Sequence, residues 1–166
     1  MILGMSISTF TTLHVIISLI GIVAGLVVML GMLGGRMLAG WTALFLATTV
    51  ATSATGFLFP FTKLLPSHVV GIISLVVLAA ALLALYVFRL HGPWRWIYVA
   101  GAMLALYLNV FVAVVQAFQK LAFLQPLAPT QAEAPFVVAQ VAVLAIFAVL
   151  SFLAVKRFHP EMTAPA

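Results

Sequence analysis

The sequence predicts an all-α integral membrane protein, a single bundle of five transmembrane helices with its N-terminus outside and its C-terminus in the cytoplasm. Three observations carry that expectation. Of 166 residues, 66% are hydrophobic and only 5% are charged, whereas a soluble domain carries about 25% charged residues because water must wet its surface. The mean hydropathy is +1.35. The apolar residues fall into five long runs, parted by short breaks rich in glycine and proline. Cysteine is absent, which removes disulfide scaffolds, iron–sulfur clusters and thiol nucleophiles from the reading. Apolar content this high also excludes a disordered chain.

A helix needs about 20 residues, at ~1.5 Å rise each, to cross ~30 Å of hydrocarbon. The runs that meet this lie at about 10–33, 41–61, 68–90, 94–120 and 135–157. The first reads as a span and not a cleaved leader, because no basic residue precedes it and its apolar run is too long. Gly34, Gly35 and Gly40 mark the first break, Pro60 and Pro66 the second, and His91, Gly92 and Pro93 the third. The fourth break, 122–134, is the longest and holds Pro126, Pro129, Gln131 and Glu133. Joints this short make neighbouring helices antiparallel and residues 1–166 one domain. No internal repeat supports an inverted-repeat transporter.

The formal net charge is +5. The basic residues are scattered singly and build no patch that tracks a phosphate backbone, so nucleic acid is not an expected partner. They record topology instead. Arg36, Arg89, Arg95, Lys156 and Arg157 fall on one side of the five expected spans, and Lys63 and Lys120 on the other. The positive-inside rule gives the richer side to the cytoplasm. Trp41, Trp94 and Trp96 fall at that same interface. The partners expected are the lipid bilayer and another membrane protein or a second copy of this chain.

Polar side chains inside spans are costly in hydrocarbon and normally face the bundle or a cavity. Span one carries Thr11, His14, Ser18, Gly21 and Gly25 on one stripe, and the two glycines invite a close helix approach. Span two holds Thr48, Thr49, Thr52, Ser53 and Thr55 within eight positions. Such hydroxyls can back-bond to their own helix. Span four aligns Gly101, Ala105, Asn109, Ala113, Gln116 and Lys120, and the Asn109 amide demands partners at mid-membrane. His68 opens span three and Gln140 lies near the start of span five. The outer half thus collects His14, His68, Thr52, Ser53, Thr55, Gln116 and Gln140, with Gln131 and Glu133 from the long loop and Asn109 near mid-membrane. Phe57, Phe59, Phe61, Phe118 and Phe123 are expected to ring it. The inner half reads as almost purely aliphatic.

Three ligand chemistries suit that cluster. His14 and His68 are candidate axial ligands for haem b, with the phenylalanines against the porphyrin. The same histidines with Thr52, Asn109, Gln116 and Gln140 suit a quinone in an aromatic pocket. His14, His68 and Glu133 form a two-histidine, one-carboxylate set for a divalent metal. A non-catalytic scaffold or accessory subunit stands as the alternative, in which the polar groups only fasten helices. A small channel or transporter is a further alternative, against which counts the lack of acidic residues within the spans. Hydrolase chemistry is disfavoured, because Ser53 has no base–acid pair, and a non-enzymatic role is favoured.

The stretches GWTALFLATTVATSATGFLFP at 40–60 and LYLNVFVAVVQAFQK at 106–120 resemble those of small, uncharacterised bacterial multi-pass inner-membrane proteins. The resemblance implies a bacterial cell membrane and brings no activity with it. A similarity to histidine-bearing membrane cytochromes is confined to His14 and His68.

Overall fold

The computed structural model describes residues 2–60 and 66–160, and among them it contains helices and no strand. Five α-helices follow one another among the described residues: α1 (Ile7–Leu33), α2 (Ala39–Gly56), α3 (Pro66–Leu82), α4 (Trp94–Lys120) and α5 (Ala134–Arg157). A π-helical turn, Leu83–Val87, prolongs α3, and a 3₁₀ turn, Gln125–Leu127, sits in the last connection. Four stretches are long and apolar enough to cross a membrane: Ile7–Leu33, Ser67–Val87, Trp94–Lys120 and Ala134–Arg157.

The expected second span is not among these four, and the expected third, 68–90, ends early at Val87. The second is the shorter of the two. It ends at Gly56 rather than at residue 61, and its 18 residues carry six hydroxyls. The chain turns away there, Phe57 N–H closing on the Ala54 carbonyl at 3.2 Å and Leu58 N–H on that of Thr55 at 3.1 Å. Phe61 and Lys63 lie outside the described residues.

The ends of α1 show why it starts and stops where it does. Ser6 caps it by accepting the Thr9 N–H at 3.1 Å. At the other end Gly35, at φ 71°, supplies the left-handed residue of a Schellman turn, and Arg36 N–H reaches back to the Gly31 carbonyl at 2.8 Å. The chain therefore reverses within a few residues, and α2 returns antiparallel along α1.

The helices α1, α2, α3 and α4 pack in sequence, with α4 also against α1, while α5 lies along α4 and α1. Only 6% of the apolar window of α5 is buried, so it is the peripheral helix. The densest core occupies the half carrying most of the basic residues. Val28 and Met32 of α1, Phe45 and Leu46 of α2, Leu78 of α3, Tyr98, Met103 and Leu106 of α4, and Phe147 of α5 meet there. At that end Arg95 donates to the carbonyls of Val155 at 2.9 Å and Phe158 at 2.6 Å. A cation thus satisfies the exposed carbonyl end of α5, where the helix dipole also favours it.

Candidate functional site in the polar half

The opposite half of the bundle is built around the seam between α1 and α2. Descending α1, each turn meets the next turn up α2. His14 Nδ1 lies 2.8 Å from Thr55 Oγ1, and the Ser18 and Thr52 hydroxyls are 3.3 Å apart. Gly21 follows, where a Cβ would stand 3.2 Å from Thr48 Oγ1, 3.4 Å from Thr49 Oγ1 and 3.6 Å from Asn109 Nδ2. The missing side chain at Gly21 lets two helices bring their polar groups to one point. Asn109 of α4 donates there to Thr49 Oγ1 at 3.3 Å.

Hydrogen-bond accounting fixes the imidazole of His14. Thr55 has one hydroxyl hydrogen, and it goes to its own helix, to the Ala51 carbonyl at 2.7 Å with Thr52 O at 3.2 Å. Its oxygen is therefore the acceptor, and His14 donates from Nδ1. In the neutral ring Nε2 then carries the lone pair. The His14 ring also stands edge-on to Phe59, centroids 5.2 Å apart, and Phe59 in turn meets Phe10 at 5.1 Å. His68, buried at the start of α3, lies against Phe57 at 5.7 Å. Gly71 makes room for that phenyl, since a Cβ there would come within 3.0 Å of it.

The sequence-predicted residues thus separate into groups. His14, Thr52 and Asn109 share the α1–α2–α4 seam. His68 approaches the end of α2 through Phe57. Gln140 donates to the Phe111 carbonyl at 3.2 Å, between α5 and α4, while its buried Oε1 has no hydrogen-bond partner. Gln116 is exposed on α4. Of the expected aromatic ring, Phe118 is buried against Phe136 and Phe123 is exposed.

The metal set is not assembled, for among the described residues no three His, Cys, Asp or Glu side chains are grouped to hold an ion. Glu133 is engaged elsewhere. It precedes α5 and accepts hydrogen bonds from the Thr130 hydroxyl at 2.8 Å, the Thr130 N–H at 3.2 Å and the Ala132 N–H at 3.1 Å. Hydrogen bonding, from Thr130 first, holds its carboxyl below the usual carboxylate range. Gln131 reaches back to the Val115 carbonyl at 3.1 Å and so ties the long loop to α4.

Sequence reasoning missed Phe10 and Ser74, both buried in this half. Phe10 was legible in principle, because it stands one turn before His14 on the same stripe. Ser74 has no such neighbour in the sequence. The inner half is also less purely aliphatic than expected: Thr42 and Tyr98 are buried there, the Tyr98 hydroxyl beside Thr42 without closing a hydrogen bond of ordinary geometry.

The chain matches no protein-family model, no curated protein and no solved structure.

Proposed function

We propose that all five helices cross the bacterial inner membrane, with the N-terminus outside, and that the polar half is a binding site for a membrane-soluble quinone. The observation that carries the ligand reading is the fixed ring of His14. Held through Nδ1 by Thr55, it offers one defined atom, Nε2, among Phe10, Phe59 and the threonines of α2. Neutral, Nε2 accepts from a quinol hydroxyl; protonated, it donates to a quinone carbonyl. A quinone is favoured over haem b because His14 and His68 each lie against a separate phenylalanine, which does not suit two axial nitrogens facing one iron. The orientation rests on the gathering of Arg36, Arg89, Arg95, Lys156 and Arg157 toward one end.

The test is the lipid extract and absorption spectrum of the purified protein. Wild-type chain is expected to carry quinone and to show no Soret band. His14→Ala loses the quinone, while His91→Ala and His159→Ala keep it. A reporter fused to the C-terminus is expected to behave as cytoplasmic.

A second reading has its own support. Ser18, Thr49, Thr52, Thr55 and Asn109 bond to one another or to their own helices, as residues that merely fasten a scaffold do. Wild-type protein free of quinone and haem would favour it. A through-channel has no such support, because Leu106 and Phe45 close over Gly25.

A further inference from the structure

At the basic end, the way α1 stops leaves a trough along its face. The Gly35 turn folds the chain back so closely that a Cβ at Gly31 would meet the Leu38 side chain at 2.9 Å. With no side chains at Gly31 and Gly34, a groove of about 260 Å³ remains, lined by Val27, Leu30, Leu38 and Arg36. Positions 27, 30, 31 and 34 are successive turns of one helix face, so the groove follows the helix axis for ~10 Å. Leu30 is 64% exposed, which shows that the groove opens outward and not into the bundle. Its far end is cationic. Arg36 lines it, and the Arg157 carbonyl lies 3.2 Å from where a Gly35 Cβ would stand, which brings the end of α5, with Lys156 and Arg157, beside the turn. Of the two carboxylates, Glu133 precedes α5 at its other end and Glu161 is outside the described residues.

We propose that this groove seats one acyl chain of an anionic phospholipid, with the lipid phosphate on Arg36. An apolar trough along the axis of a membrane-length helix, with Arg36 in its lining, matches a lipid in direction and in chemistry. Guanidinium groups pair with phosphate oxygens bidentately. Lys156 and Arg157 add the local field that separates an anionic headgroup from a zwitterionic one. A soluble anion has no use for the apolar walls.

The experiment is native mass spectrometry of the full chain in detergent, exchanged against equimolar phosphatidylglycerol and phosphatidylcholine with identical acyl chains. Wild-type protein is expected to retain one phosphatidylglycerol in preference to phosphatidylcholine. Arg36→Gln lowers that preference about fivefold, the effect of one juxtamembrane cation. Leu30→Trp fills the groove without changing charge and reduces retention of both lipids. Lys120→Gln, an equal charge loss at the end of α4 away from the groove, changes neither. Equal retention of the two lipids by wild type overturns the proposal, as does a preference that survives Arg36→Gln or disappears in Lys120→Gln. Circular dichroism checks each fold, and should Arg36→Gln fail to fold, unchanged retention in Leu30→Trp is enough to reject the site.

Discussion

Gly21 and Gly25 stand one turn apart on the same face of α1, and they meet different company. A Cβ on Gly25 would come within 2.5 Å of Leu106 and 2.9 Å of Phe45; on Gly21 it would stand 3.2 Å from a threonine hydroxyl. One turn of helix thus marks the passage from a half held by apolar interdigitation to a half held by hydrogen bonds. The difference matters because lipid tails are as apolar as leucine, so packing contributes through fit rather than through burial from water. In the basic half that fit is tight, and a substitution disrupts it directly. In the polar half each contact is a bond between groups that would otherwise seek partners in hydrocarbon, and pairs can be removed together at little loss.

The comparison is broken or sharpened by substitutions on each side of that turn. The largest stability effect is expected from Phe45→Ala. The side chain is 1% exposed, and its removal leaves a cavity, destabilising by about 3 kcal/mol as read by denaturant titration in mixed micelles. A loss below that of Asn109→Leu would overturn the contrast between the halves. Asn109→Leu removes a bond of the polar seam and is expected to cost about 1 kcal/mol or less. If it loses quinone while the fold survives, Asn109 belongs to the site; unchanged ligand content leaves it as a fastener.

The smallest effect belongs to Glu133, outside the spans. Its carboxyl sits below its ordinary value of 4.5 because Thr130 hydrogen-bonds the charged form. A folded-state value below the unfolded one adds stability at neutral pH, and that gain disappears as pH falls through the folded-state value. Glu133→Gln is therefore expected to lower the thermal midpoint slightly at neutral pH. Wild type and variant should converge under acid, and a difference that persists there would mean the carboxylate's charge is not what matters.

How legible these two halves were in the sequence follows from what holds each together. The expected 94–120 coincides with α4, and 135–157 differs from α5 by one residue, because hydropathy and flanking proline both mark those ends. The stripe His14, Ser18, Gly21, Gly25 pointed inward as its spacing requires. The end of α2 was not legible, since residues 57–61 are mostly apolar whether helical or not, and a hydropathy run cannot see a helix stop at Gly56. The π-turn at Leu83–Val87 was equally invisible, for the segment contains neither proline nor glycine. Gln116 was placed by spacing on the stripe of Asn109, and seven residues on a 3.6-residue helix do keep it within about 20° of that face, yet its side chain is exposed: spacing gives the face of a helix, not how far along it a neighbour packs. Which hydroxyl meets which partner depends on helix register, and one sequence does not encode register openly.

The hydroxyls of α2 also bear on how the chain enters a membrane. The helix is not among the four stretches long and apolar enough to cross a membrane, and it is joined to α1 by a connection of only five residues. A segment of that composition is a poor substrate for insertion by itself, since its threonines find no partners in lipid. Paired with α1, the same threonines already face His14, Ser18 and Gly21. On the five-span reading, entry of α1 and α2 together as a helical hairpin would give those hydroxyls their partners before they meet lipid.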